Sequence, residues 1–98
     1  MPAPPDHACQ LCQRETRLEF HHLIPRKVHR RPWFARRHSR EEMHQRGIWI
    51  CRLCHRFLHR RFDEVTLGRQ FATLPDLLAD PGVQRHIQWA GRQRPGKR

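Results

Sequence analysis

Cys51-Arg-Leu-Cys-His-Arg-Phe-Leu-His59 joins a C-x-x-C knuckle directly to an H-x-x-x-H pair. A knuckle of this kind presents two thiolates from one tight turn, and a tetrahedral zinc takes four ligands. The missing pair stands near the N-terminus, at Cys9-x-x-Cys12. Cys9, Cys12, Cys51 and Cys54 together make a closed four-thiolate shell, which has no position left for water and is therefore structural. Two other uses of these thiols are disfavoured. Disulfides belong to secreted chains, and Met1-Pro-Ala-Pro-Pro-Asp6 lacks the basic-then-apolar pattern of a signal peptide. A redox C-x-x-C expects a βαβ context, which the sequence does not offer. A zinc shell that takes His55 together with some of the cysteines remains as a further alternative.

The rest of the chain is small, polar and basic. It has 98 residues, 20 Lys+Arg against 9 Asp+Glu, a formal net charge of +11, 9 His and no Tyr. That length bounds it to one domain. With only 37% hydrophobic residues, a modest core calls for a metal staple. No apolar run reaches the roughly 18 residues of a membrane helix, so no membrane partner is expected and the expected location is cytoplasmic. Charge on this scale opposes compaction unless an anionic partner neutralises it, and nucleic acid is the first candidate.

Between the knuckles lies a long insertion. Residues 1–8 read as a flexible leader. Leu18-Glu-Phe-His-His-Leu-Ile24 alternates as a strand would, and Pro25 ends it. The span from Arg26 to Arg40 holds seven Lys/Arg and no acid; it reads as a basic excursion with Trp33 and Phe34 near its tip. Those two aromatics fit either a thin core or a wedge into a groove. Ser39-x-x-Glu42 has capping-box form and starts a short helix, which Gly47 stops. Ile48–Cys51 is a second strand, and Leu53 to about Phe62 is a helix that presents Leu53, Phe57 and Phe62 to a core. Thr73-x-x-Asp76 and Asp80-Pro81 open two further helices. Leu77, Leu78, Val83, Ile87 and Trp89 read as their core face. Residues 9–91 form the domain, divided at 62/63 into a knuckle-bearing part and a helical part, and 92–98 form a basic tail.

The histidines cluster beside the knuckles. His21 and His22 end the first strand; His55 and His59, at i and i+4, share one helical face. A zinc that joins the knuckles also draws these two pairs together. His55-Arg-Phe-Leu-His59 lacks the Glu of the metalloprotease motif H-E-x-x-H. Three imidazoles would leave open positions on a divalent ion, and a fourth would serve as a base near neutral pH. His7, His38 and His86 read as bystanders.

With these pieces in order, the chain resembles the HNH endonucleases. The resemblance rests on C-x-x-C, His-His-Leu-Ile-Pro-Arg and Cys-Arg-Leu-Cys-His-Arg-Phe-Leu-His, and covers roughly Cys9 to His59. It implies a small α+β fold: a ββα-metal (His-Me finger) motif stapled by a four-cysteine zinc, with additional C-terminal helices. It implies that His22 is the general base and that His21, His55 and His59 hold a catalytic divalent ion (Mg²⁺, Mn²⁺, Ni²⁺ or Zn²⁺). Cleavage would leave 5′-phosphate and 3′-hydroxyl ends. One departure stands out. The family's middle Asn, which braces the loop holding the base, is replaced by Arg46; His44 and His29 are the other candidates for that bracing.

Arg26, Lys27, Arg30, Arg31, Arg36, Arg37 and Arg40, with Arg52, Arg56 and Arg60 on the helix, are the expected nucleic-acid contacts. No base-reading helix is evident, so contact is expected with phosphates and specificity is expected to be weak. The resulting expectation is a metal-dependent endonuclease that nicks DNA, in preference to RNA, as a monomer or weak dimer. The rival reading is a non-catalytic, zinc-stapled nucleic-acid-binding module. It accounts for the charge and the cysteines but leaves four histidines unexplained. An adaptor for an acidic protein ranks third.

Overall fold

The computed structural model describes residues 8–94. The expected leader, apart from its last residue, and the end of the expected tail lie outside the described residues. The chain folds as a small α+β protein with a two-stranded antiparallel sheet and six α-helices among the described residues.

Strand β1, Leu18–His22, pairs with strand β2, Gly47–Cys51, in a register that sets Leu18 opposite Cys51, His21 opposite Ile48 and His22 opposite Gly47. Side chains alternate between faces along a strand, so neighbouring His21 and His22 part company: His21 is fully buried and His22 half-buried. The strand stops two residues short of Ile24. Leu23 still donates its amide to the Arg46 carbonyl at 3.1 Å, and Ile24 turns into a second hydrophobic cluster.

The basic segment is not the loop expected from its charge. It folds as a 3-10 turn over Arg26–Val28, then α1 (Pro32–Arg37) and α2 (Arg40–Gln45). Its apolar minority decides this: Val28, Phe34 and Met43 bury completely with Ile24, and Trp33, Val65 and Ala72 pack around them. Seven cations hid a second core. The wedge reading of the aromatics does not hold for Phe34, which is 1% exposed. Trp33 carries the guanidinium groups of Arg37 and Arg69 over its ring, at 4.0 and 4.6 Å.

Helix α2 begins as read, with Ser39 Oγ accepting from the Glu42 amide at 3.0 Å. The Glu42 carboxylate pairs with His38 and Arg46. Gly47 is not the helix stop. Arg46 already leaves helical geometry, and Gly47 opens β2 without a positive φ. Its reason for being glycine is space: a Cβ there would overlap the Phe20 ring and lie 2.7 Å from the His21 carbonyl oxygen.

Helix α3, Arg52–Arg61, follows β2 without a break. Cys54 and Leu58 are buried, Leu53 and Phe57 pack against the main cluster, and Arg52, Arg56 and Arg60 are exposed. The C-terminal part holds α4 (Glu64–Gln70), α5 (Leu74–Ala79) and α6 (Pro81–Ala90). Thr73 and Asp80 cap their helices as expected, accepting from Asp76 and Val83 amides. Helix α4 was not anticipated; Asp63, an interruption of charge in the sequence, is its N-cap, accepting from the Thr66 amide at 2.7 Å. Leu77 and Val83 are buried and Ile87 half-buried, but Leu78 and Trp89 face outward at 39% and 51% exposure. Neither falls on the buried stripe of its helix, which runs through Leu77 in α5 and through Val83, His86 and Ala90 in α6. His86 is no bystander: it is buried and stacks on Phe57 at 4.1 Å. None of the described helices is long and apolar enough to cross a membrane.

Gly47→Ala is expected to destabilise the fold by about 1–3 kcal/mol, since neither the carbonyl of a paired strand nor a packed ring yields easily. Urea unfolding checks this; an unchanged midpoint would mean that β1 and β2 can separate freely at that point.

Candidate metal centres and basic clefts

The four cysteines converge. Cys9, Cys12, Cys51 and Cys54 are all buried, none is in a disulfide, and their sulfurs lie within 4.8 Å of one another. Cys12 Sγ and Cys51 Sγ are 3.7 Å apart, against about 3.8 Å for two sulfurs on a tetrahedral zinc with bonds near 2.3 Å. The first knuckle has the backbone that thiolates require: the amides of Leu11 and Cys12 both donate to Cys9 Sγ at 3.4 Å. The turn closes through Gln13, whose φ of 68° is the one positive value at a non-glycine residue among the described residues. The arrangement is that of a structural zinc site.

Arg14 completes this centre. It is 9% exposed, and its guanidinium donates to Cys51 Sγ at 3.1 Å and Cys12 Sγ at 3.5 Å, and also to the Arg94 carbonyl at 3.1 Å. Four thiolates on a zinc leave a net charge of −2, so a buried cation is the group this site calls for. Hydrogen bonds from Cys54, Cys9 and Arg14 hold the Cys51 thiol far below its ordinary value. Bonding to Cys51 pushes Cys9 up to about 11. Without a cation the cluster thus cannot ionise throughout, and metal binding must release protons. Arg14 was passed over in the sequence as one arginine among many; its signal was its place two residues after a knuckle.

A second group lies one helical turn further along α3. Ring nitrogens of His21, His55 and His59 also lie within 4.8 Å of one another, and the His21 ring centroid is 5.3 Å from that of His55 and 5.4 Å from that of His59. Both His21 nitrogens are buried without any hydrogen-bond partner. Burial, then the neighbouring imidazoles, pushes the His21 pKa down to about 3, so the ring is neutral and offers a lone pair. His55 donates from Nδ1 to Glu19 Oε1 at 2.8 Å, which leaves Nε2 as its free lone-pair site. Glu64 Oε2 is 3.7 Å from His59 Nδ1. Sequence reading missed both carboxylates. Glu19 could have been found by strand alternation, because it sits two residues before His21; Glu64 could not, because α4 brings it in from outside the motif.

His22 lines a cleft of about 430 Å³ together with His55, His59, Glu64, Arg26 and Lys27. Burial and the neighbouring His29 and Arg26 hold its pKa below the usual histidine value, so it is unprotonated at neutral pH. Of the three bracing candidates, His29 is the one built in. It is 8% exposed and donates from Nε2 to the Ile24 carbonyl at 2.6 Å, pinning the turn that follows His22. His44 is exposed and lies edge-on to His29 at 5.1 Å. Arg46 turns its side chain to Glu42.

The basic residues divide. Arg26, Lys27, Arg30 and Arg40 line a cleft of about 620 Å³ with His29, His38 and His44, next to the His22 cleft. Arg37 is spent on Trp33, donating to its carbonyl at 2.8 Å. Arg31, Arg36 and Arg60 are exposed and line none of the clefts described here. Arg52 and Arg56 line a third cleft. No protein-family model, curated protein or solved structure matches the chain.

Cys9→Ser is expected to strip zinc from the four-cysteine site and lower the melting temperature, because a structural zinc contributes its binding free energy to folding. Zinc content by atomic emission and thermal unfolding read this out. A zinc-free wild-type chain that melts where the loaded chain does would overturn it.

Proposed function

We propose that this protein is a metal-dependent endonuclease acting on DNA, with β1, β2 and α3 as a ββα-metal motif. The observation that carries the reading is His21: an imidazole buried in full, neutral, with two unsatisfied nitrogens, beside two further imidazoles. A buried polar ring without a partner costs free energy, and a divalent ion held by His21, His55 and His59 would take up one of those lone pairs. The donor set suits the group. Three neutral nitrogens leave open positions, unlike the four sulfurs next door.

A divalent ion there would neutralise a phosphodiester and its departing 3′ oxygen. The chain's own residues do the rest. Glu19 fixes the His55 tautomer by accepting its Nδ1 proton, and Glu64 stands in reach to do the same for His59. His22 takes the proton of an attacking water on its free ring nitrogen while the new P–O bond forms and the P–O3′ bond breaks. His29 keeps His22 in place through the Ile24 carbonyl. Arg26 and Lys27, on the rim of the same cleft, hold the phosphate by charge and read no base.

Supercoiled plasmid is expected to be nicked in the presence of Mg²⁺, Mn²⁺, Ni²⁺ or Zn²⁺, and His22→Ala is expected to abolish nicking with the melting temperature unchanged. Plasmid retarded in a gel but intact under every ion would instead support a non-catalytic binding module. For Glu19→Gln, titration calorimetry is expected to show roughly 10–100-fold weaker divalent-ion binding at the histidine site, the usual loss of an orienting partner. Unchanged affinity would remove Glu19 from the site.

A further inference from the structure

The third cleft, of about 620 Å³, lies where the start of α3 meets β1 and the C-terminal end of the described chain. Arg14, Arg17, Arg52, Arg56 and Arg94 line it, with Glu19 as its one acid. Two of these charges are committed. Arg14 is bound to sulfur and carbonyl oxygen, and Glu19 is bonded to His55. Arg17, Arg52 and Arg56 are exposed, and among the described residues no carboxylate pairs with them. Three guanidinium groups around one concavity repel one another, and the one carboxylate that lines it, Glu19, is already bonded to His55.

The site is also placed to matter. Arg52 and Arg56 sit one turn apart on α3, and His55 and His59 lie on the adjoining stripe of the same helix. Glu19 belongs to both places: it lines the cleft and orients His55. The cleft beside His29 flanks the histidine site at its Arg26 and Lys27 side. The histidine site therefore adjoins two basic concavities through different residues, one at Glu19 and the other at Arg26 and Lys27.

From this we infer that the Arg17–Arg52–Arg56 cleft is a second phosphodiester-binding site, which holds the nucleic-acid backbone beside the histidines and is distinct from the Arg30 and Arg40 cleft. The inference rests on the nucleic-acid reading of the protein but not on catalysis. Its rival is local: these arginines could serve only to offset the negative charge of the zinc–thiolate centre. Among the described residues Arg14 is the one arginine hydrogen-bonded to a sulfur, which is why the backbone reading is preferred.

The test uses the full-length, zinc-loaded chain carrying His22→Ala, so that duplex stays intact, and measures binding to a fluorescent DNA duplex across a salt series. Each phosphate contact adds about 0.9 to the slope of log K against log salt. Arg17→Ala with Arg56→Ala is expected to lower that slope by about 1.8 and to weaken binding at least tenfold at low salt, with zinc content and melting temperature unchanged. Arg17→Lys with Arg56→Lys, which keeps the charges, is expected to restore most of the slope. Unchanged slope and affinity in the alanine pair overturn the inference. Loss of zinc with unchanged DNA affinity does so too, and assigns the arginines to the thiolate centre. A chain that nicks plasmid through His22 but shows no change in slope loses this cleft alone. One that loses slope as expected yet never nicks keeps the cleft and loses the nuclease.

Discussion

The convergence of four cysteine sulfurs on one point sets the geometry of everything else. Cys9 and Cys12 come from the start of the described chain, and Cys51 and Cys54 from the junction of β2 and α3. Gathering them closes a loop that contains all of β1 and the basic segment. Gln10 reinforces the closure, exchanging hydrogen bonds with the Trp49 backbone at 3.0 and 2.7 Å. A core this small gains its order from such a closure, because the entropy of a long loop is lost once and then shared by every contact inside it. His55 directly follows Cys54, and the first ladder pair, Leu18 with Cys51, sits at the knuckle. The position of the histidines is therefore inherited from the position of the sulfurs.

Two centres of different chemistry thus meet on one helix, a buried one of four cysteines and a half-open one of three histidines. The sulfur centre is a set of four buried thiols, met on one side by the Arg14 guanidinium. The nitrogen centre borders a cleft, with Glu19 beside His55 and Glu64 beside His59. This division follows from ligand type: four thiolates bring negative charge that needs a counterion within the protein, whereas three imidazoles bring none and leave the charge of an ion available to a substrate. Among the described residues Arg14 turns inward to sulfur, while Arg17, Arg26, Arg30, Arg40, Arg52, Arg56 and Arg94 line the clefts.

Much of this was legible in the sequence. Paired knuckles, paired histidines at i and i+4, the Ser39 cap and the Thr73 and Asp80 caps are local patterns with local causes, and each appears where its spacing put it. The readings that failed did so for different reasons. Where apolar residues were few and scattered among cations, as at Val28, Phe34 and Met43, charge masked a core. Where amphipathic stripes were long, as at Leu78 and Trp89, hydrophobicity suggested a core contact, yet both side chains are exposed. Gly47 was read for its conformational freedom, although what matters there is the Phe20 ring and the His21 carbonyl beside it.

By itself the sequence determined which residues could share an ion, since ligand type and spacing are properties of the chain. It also determined the sign and size of the charge. Tertiary structure alone decided which groups surround those ligands. Glu19 meets His55 across a separation of 36 residues and Arg14 meets Cys51 across 37, so even where strand alternation or the knuckle marks the residue, its partner is not written beside it. The physical reason is range. Caps and knuckles are fixed by bonds a few residues long, whereas these contacts are made by packing between segments remote in sequence.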